Sequence, residues 1–482
     1  MKLEMLLRNV PVTTCTAARE LEITGVCYDS RQVRPGDLFV AVPGFAADGH
    51  RFIPMALENG AAAVLCEKAP AEGAYIQTPS TRTALAQVSA NWFGDPANGM
   101  KLIGVTGTNG KTTVTTVLKE VLERTLGAKV GLIGTIHNEI GDQIIPTERT
   151  TPESFELQQL LRRMADAGCQ YVIMEVSSHA IALDRVAGLH FAVGAFTNLT
   201  EDHLDFHKTM DDYAETKARL FERCDAAVIN ADDPYAPRMQ AHAACPVCTT
   251  AVHSPATLQA QNVSLHADHV AFDAVLDGQR AAVTLPIPGG FTVYNAMTVI
   301  AIALQLGLPL EKITAALRQT HLVKGRVEVV PTPGTDYTVL IDYAHTPDAL
   351  ENVLRSVQGY CKGRVIAVFG CGGDRDPIKR PIMGRIGVEN ADLAVITSDN
   401  PRTEDPETII ADILRGVEGT QTSYVVIPDR RAAIRWAMDH AQKDDIIVLA
   451  GKGHETYQII GTEHRHLDER EEVAAHLAQR EA

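Results

Sequence analysis

Residues 102–113, Leu-Ile-Gly-Val-Thr-Gly-Thr-Asn-Gly-Lys-Thr-Thr, combine the residue types that hold a nucleoside triphosphate. Gly107 and Gly110 permit sharp turns that bring backbone N–H groups close to phosphate oxygens. Lys111 supplies a point positive charge, and the Thr112 hydroxyl suits Mg2+. The pattern predicts a short buried strand ending near Val105 and a helix from Thr112 to about Thr125. Bound phosphates would then face a helix N-terminus with its unpaired donors. An ordinary eight-residue phosphate loop begins with Gly, and that position here is Val105.

Other segments also concentrate reactive side chains. Glu175 closes the apolar run Tyr171 to Val176, where a carboxylate beside the nucleotide would organise Mg2+. His203, in the dense stretch Thr197 to His207, is a candidate ligand for a second metal ion, with Asp202, Asp205 and His207 read as solvated or supporting groups. Lys217 lies in an amphipathic helical pattern, and composition alone makes it a surface lysine. Four further segments fall at loops or strand ends: Lys324 to Glu328 with Arg326, Asp342 to Pro347, Gly370 to Asp376 with Arg375, and Ser398 to Thr403. Arg326 could meet a phosphate, Asp342 to Pro347 could frame an adenine, a ribose or phosphates, and Arg375 could clamp a carboxylate. Asp399, Asn400 and Arg402 stand together in the last. Ligands of open α/β sheets gather at the carboxyl ends of strands, so one shared site explains four such loops better than coincidence.

The elements that must position these residues divide the chain in three. Its 482 residues suit about three domains, and 45% hydrophobic residues provide ample core. We expect boundaries at 1–97, 98–328 and 329–482. The first part mixes short strands (Val26 to Arg31, Asp37 to Val42, Ala62 to Cys66) with a helix over Phe52 to Gly60. The second alternates buried strands (Val130 to Thr135, Tyr171 to Val176, Phe191 to Thr197) with helices over Ser154 to Ala167 and Met210 to Cys224, the mark of a mostly parallel sheet. Residues 258–285 predict a small antiparallel insertion before a helix starting near Tyr294. The third carries five strand candidates (Val339 to Ile341, Val365 to Phe369, Leu393 to Ile396, Tyr424 to Ile427, Ile446 to Leu449), a doubly wound, Rossmann-like α/β pattern. It lacks G-x-G-x-x-G after its first strand, which speaks against a dehydrogenase.

Net charge of −16 argues against nonspecific binding to nucleic acid or anionic membranes. No apolar run approaches the ~20 residues of a membrane span, and the start reads as no signal peptide, so a cytoplasmic protein is expected. Nine scattered cysteines suggest reduced thiols, with Cys245-Pro-Val-Cys248 read as two ordinary thiols near a turn.

Taken together, the motifs resemble the Mur ligases, ATP-dependent amide-forming enzymes of peptidoglycan synthesis, along nearly the whole chain. Gly107-Thr-Asn-Gly-Lys-Thr-Thr113 matches their variant phosphate loop, which accounts for Val105. Asp29-Ser-Arg31, Pro35 to Phe39 and Asp48-Gly-His50 resemble the first domain of the members that add the third stem residue. Asp399-Asn-Pro401-Arg402 resembles the motif of those that add meso-diaminopimelate.

The resemblance implies roles. Ser30, Phe45, Ala46 and Ala47 would hold the uridine nucleotide, and Thr150, Thr151, Ser177 and Arg185 the rest of a UDP-N-acetylmuramoyl dipeptide. Members often carry Asn where this chain has Arg149, and some a polar residue where it has Leu183. Gly107, Thr108, Asn109, Gly110, Lys111, Thr112 and Thr113, with Asn295, Arg326, Asp342 and His345, would bind ATP. Thr112, Glu175, His203 and a carbamylated Lys217 would bind Mg2+. Arg375, Asp399, Asn400, Pro401, Arg402, Gly451 and Glu455 would bind diaminopimelate. Lys111, Lys217, His203 and Arg326 are the expected catalytic group in a monomeric enzyme acting on small molecules. A lysine-adding member, a folylpolyglutamate synthetase-like ligase and a nucleotide switch without ligase activity are the competing readings.

Overall fold

The structure, a computed structural model, describes every residue but 45, 46, 267, 322 and 482. Three sheets of five, eleven and six strands follow one another along the chain, with a two-stranded hairpin near the end.

In the first sheet Gly25–Cys27, Asp37–Val40, Ala63–Cys66 and Tyr75–Gln77 run parallel to their neighbours, and Thr14–Cys15 closes one edge antiparallel. The Pro35-Gly36 turn therefore serves a parallel connection. The helix Thr81–Phe93 starts where the Ser80 side chain accepts from the Thr83 N–H and ends at Gly94, φ 74°. Its Phe93 ring meets Phe155 of the second region at 5.2 Å between centroids, which fixes the first region beside the helix Ser154–Asp166.

The central sheet places Lys101–Thr106 between Val193–Phe196 and Tyr171–Glu175, all parallel. Val105 is fully buried and its carbonyl accepts from Val176 N–H at 2.8 Å. That position is still strand, so the loop proper begins at Gly107. Gly107 (φ 143°) and Gly110 (φ 85°) take backbone conformations that side chains resist. The helix Lys111–Leu126 then packs on the sheet through Val114, Val117, Leu118, Val121 and Leu122.

Three details differ from the sequence expectation. Leu258–Leu265 pairs parallel with Val247–Ala251, so the antiparallel strands Val270–Leu276 and Gln279–Leu285 extend the main sheet instead of forming a separate insertion. The following helix begins at Gly290, four residues before Tyr294. The helix from Met210 ends at Ala218 and tightens into a 3-10 turn over Arg219–Arg223.

In the third sheet Thr338–Asp342, Ile446–Ala450, Val365–Phe369, Leu393–Ile396 and Ser423–Val426 are neighbours in that order, all parallel. Helices cover both faces around two apolar layers. Strand order departs from chain order around Ile446–Ala450, and the loops at 342–347, 370–376, 397–403 and 451–457 emerge at the same edge. An antiparallel edge strand, Glu328–Val330, and the hairpin Tyr457–Ile460 with Glu463–His466 were not anticipated.

Candidate active site

The phosphate loop opens on a cavity of about 860 Å3 between the second and third regions, walled by Thr108 to Thr113, Glu175, His203, Asn295, Arg326, Asp342 and His345. A Cβ on Gly107 would sit 1.9 Å from Thr197 Oγ1, and one on Gly110 would sit 2.3 Å from Asn295 Oδ1. Both glycines thus let the loop lie against its neighbours. Lys111 Nζ donates to the carbonyls of Gly107 at 3.0 Å and Thr108 at 2.8 Å, oxygens of the kind it would exchange for phosphate.

Thr112 Oγ1 donates to Glu175 Oε1 at 3.0 Å, and Thr135 donates to the same carboxylate from its N–H (2.9 Å) and its hydroxyl (3.0 Å). A hydroxyl and a buried carboxylate at one wall form an oxygen pair of the kind a hard divalent cation takes. Among the described residues no group of three or more His, Cys, Asp or Glu side chains forms a ready metal cage. His203 faces the cavity from a left-handed backbone (φ 56°), beside Asp202 at 3.3 Å. Burial holds its imidazole below the usual range, although Asp202 opposes this, so it is neutral at pH 7.

Lys217 corrects the surface reading that composition gave. It is 1% exposed, and its Nζ donates to Gly107 O at 2.8 Å, the carbonyl that Lys111 also uses. Burial, reinforced by Lys111, holds its ammonium far below the ordinary lysine range. A neutral amine there is the form that reacts with carbon dioxide.

From the segment leading into the third region, Arg326 Nη2 donates to Thr112 Oγ1 at 3.3 Å, and its guanidinium lies 4.6 Å from the Tyr343 ring centroid. Asp342 accepts from Val327 N–H at 2.8 Å, and burial raises its pKa against the pull of Arg326. His345 is held below its ordinary value by burial and by Lys379. Asp348 accepts from Asn109 Nδ2 (2.8 Å) and Thr200 Oγ1 (3.2 Å), a junction the sequence reading did not single out.

A second cavity of about 490 Å3 lies beside the first, lined by Thr135, Arg149, Thr150, Tyr343 and the segment His454 to Tyr457. Thr151 Oγ1 donates to Glu175 O at 2.7 Å, the Ser177 hydroxyl caps a short helix, and Arg185 pairs with Glu153. Arg149 bonds the same Glu153 at 3.0 Å. Around this cavity Asn400 Nδ2 donates to Glu455 Oε2 at 2.9 Å, and Gly451 both takes φ 115° and leaves room where a Cβ would meet Asp399 Oδ2 at 2.4 Å. Arg402 (φ 52°) donates from Nη1 to Gly373 O, while the exposed Arg375 bonds Asp374 O. Pro401 is buried in this loop.

Ser30 lies apart, buried in the first region, where Asn59 Nδ2 holds its carbonyl at 2.9 Å. Ala47 accepts from Gly44 N–H, and Phe45 and Ala46 lie outside the described residues. Thr112, Glu175, His203 and the phosphate loop therefore meet at the larger cavity, Glu455 of the amino-acid candidates lines the smaller one beside it, and Ser30 stands apart in the first region.

Sequence reasoning missed Lys452 and Asp348, and reached Tyr343 only as part of the segment Asp342 to Pro347. Lys452 carried a usable signal, a basic residue flanked by glycines directly after a buried strand.

Residues 22–92 match the Mur ligase family catalytic domain, 105–303 the Mur ligase middle domain, and 325–453 the Mur ligase glutamate ligase domain. The chain belongs to the Mur ligase family. The free cysteines agree with a fold that needs no disulfides. A UDP-N-acetylmuramoyl-L-alanyl-D-glutamate–2,6-diaminopimelate ligase from Clostridium botulinum (strain ATCC 19397 / Type A) is 46% identical, covering 98% of this chain and 99% of its own. A Mur ligase of the same description from Caldanaerobacter subterraneus is 47% identical over 96% of each chain. A solved structure of a ligase with that description matches at TM-score 0.74 and 32% identity, over 100% of this chain and 99% of its own. A Mycobacterium tuberculosis folylpolyglutamate synthase shares the fold at TM-score 0.63 and 18% identity, covering 83% and 94%.

Proposed function

We propose that this Mur ligase joins meso-2,6-diaminopimelate to the D-glutamyl γ-carboxylate of UDP-N-acetylmuramoyl-L-alanyl-D-glutamate, consuming ATP. One observation carries the mechanism: Arg326, in the segment leading into the third region, reaches the Thr112 hydroxyl of the phosphate loop. That contact supports a role for Arg326 as the fixed cation that would meet charge developing on the transferring phosphoryl group. The loop N–H groups and Lys111 cradle the nucleotide. Thr112 and Glu175, with His203 and carbamylated Lys217, would hold Mg2+, which neutralises phosphate charge.

A γ-carboxylate oxygen attacks the γ-phosphorus, and the bond to ADP breaks. The amine of diaminopimelate then attacks the acyl carbon, loses a proton, and phosphate leaves. Positioning dominates, and no protein nucleophile is needed. Residues 1–97 bind the uridine nucleotide through Ser30 and the 45–47 turn, 98–328 bind ATP, and 329–482 bind the amino acid. Thr150, Thr151, Ser177 and Arg185 line the path of the muramoyl dipeptide. Arg375 and Arg402 take the far carboxylate of diaminopimelate, the group lysine lacks. ATP and a UDP-linked precursor as substrates suit a monomeric enzyme of the cytoplasm. No described helix is long and apolar enough to cross a membrane.

Phosphate release is the test, with ATP and the UDP dipeptide fixed and diaminopimelate, lysine and ornithine supplied in turn. Release that requires diaminopimelate supports the reading. Preference for lysine overturns the amino-acid assignment, and release without any amino acid overturns ligase action.

A further inference from the structure

Behind the wall of the smaller cavity stands a lysine without any solvent exposure. Lys452 is 0% exposed, and its Nζ donates to Asn400 Oδ1 at 2.9 Å and to Glu455 Oε2 at 2.9 Å, with Asp399 Oδ1 at 3.7 Å. Its side chain does not line the cavity, whereas Glu455 does. A buried ammonium costs much desolvation unless its partners are fixed, so this placement needs a compensating use.

The geometry supplies one. Asn400 Oδ1 accepts from both Lys452 Nζ and Ile459 N–H (2.9 Å), which settles the orientation of its amide. The Nδ2 side is thereby turned to Glu455 Oε2. Oε2 thus receives two donors, Lys452 and Asn400, and Oε1 is the oxygen left for a ligand at the cavity wall. Asp399 and Glu455 would otherwise leave two carboxylates near one another beside the strand Tyr457–Ile460, whose Gln458 Nε2 donates to Asp399 O at 2.6 Å. Arg430 cannot replace Lys452, because its own charge is matched by Glu469 at 2.7 Å, both fully buried.

We infer that Lys452 is a positioning residue for the amino-acid substrate, acting through Asn400 and Glu455 to present one carboxylate oxygen to a substrate ammonium. This rests on the proposed reading that the segment 451–457 receives the amino acid. It adds a residue outside the expected set and a specific function for the Asn400 amide.

The experiment is a double-mutant cycle in steady-state phosphate release, using Lys452→Met, Glu455→Gln and the double variant of the full chain. Lys452→Met is expected to raise the amino-acid KM about tenfold or more, with KM for ATP and the UDP dipeptide unchanged. In the Glu455→Gln background the same substitution is expected to add little, since the carboxylate it positions is gone. Equal rises in all three KM values, or multiplying effects of the two substitutions, would overturn the inference. Should Lys452→Met lose cooperative unfolding, Lys452→Gln, with one neutral donor, runs through the same cycle under the same criteria. If the wild type prefers another amino acid, the diaminopimelate assignment fails, and the cycle is run with the preferred one, so the two failures are distinguishable.

Discussion

The Lys217 ammonium and the Gly107 carbonyl meet at 2.8 Å, directly beneath the phosphate loop, and Lys111 shares that oxygen at 3.0 Å. Two buried cations on one acceptor are an unfavourable pair. Among the described residues no carboxylate stands within 4.0 Å of Lys217 Nζ to relieve it. Carbamylation replaces one of the charges with an anion. Burial, reinforced by Lys111, pushes the Lys217 pKa well below the ordinary lysine range and so favours the neutral, nucleophilic amine. A 13C carbamate resonance is expected in bicarbonate-supplied enzyme and should vanish in Lys217→Arg, with kcat down at least about a hundredfold. An unmodified, fully active wild type would refute this.

Arg402 is pinned on both sides of its peptide, donating from its N–H to Ile459 O at 3.1 Å while its carbonyl accepts from Gly461 N–H at 2.7 Å. Its guanidinium is presented by a fixed, left-handed backbone, near Arg375 across Gly372. Arg402→Ala is expected to raise KM for diaminopimelate about ten- to a hundredfold and leave that for ATP unchanged. Arg402→Lys should recover only part of the loss, because a single ammonium cannot give the forked pair. Unaltered amino-acid KM in Arg402→Ala would remove this residue from the carboxylate site.

How much of this was legible in sequence depends on the kind of signal. The phosphate loop, Glu175 and the five parallel strands of the third region announce themselves locally, through glycine spacing and continuous apolar runs. Lys217 does not, because helical periodicity says which residues share a face and not what covers that face. Here the phosphate loop covers it. The hairpin at 457–466 is only half-buried to exposed, so it carries little alternation to read. Val105 looked like a lapse in the loop motif and is a strand residue packed in the core.

Acid should weaken the fold through His454. Burial, with Arg326, Lys324 and Arg470 nearby, pulls its pKa down to about 3 from an ordinary 6.5. The folded chain therefore keeps this imidazole neutral where the unfolded chain takes up a proton. Its contribution is full above about pH 6.5 and is lost as the pH falls toward 3, with a slope of at most about 1.4 kcal/mol per pH unit. Urea midpoints measured from neutral pH downward should fall less steeply in His454→Gln. Identical slopes would show that the imidazole titrates normally.

Gly107→Ala should be severely destabilising. Its Cβ would lie 1.9 Å from Thr197 Oγ1, whose own bond to Asn109 O at 2.7 Å keeps it in place, and the backbone sits at φ 143°. Strain and displacement together predict a loss of roughly 3 kcal/mol or more. Chemical denaturation checks this directly, and a loss below about 1 kcal/mol would mean that the loop relaxes freely.

Asp348 ties the third region to the phosphate loop. Its Oδ2 receives Asn109 at 2.8 Å and Thr200 at 3.2 Å, and burial raises its pKa although both donors oppose it. The carboxylate sits in the first turn of the helix Pro347–Gln358, where the helix dipole favours negative charge. Near it, Ser356 Oγ accepts from Gly290 N–H at 2.6 Å, a second tie between the regions. Neither contact belongs to one region's own core, so cutting Asp348 loosens the junction without unfolding either side. Asp348→Ala is expected to enlarge the radius of gyration of the nucleotide-free chain in X-ray scattering, and to raise KM for ATP several-fold with Tm nearly constant. Nucleotide and UDP dipeptide together should restore the compact profile, because Arg326 and Thr112 still meet across the same cavity. A scattering profile unchanged by both the substitution and the ligands would mean that the regions are held together by contacts other than Asp348, and that no closing motion accompanies binding.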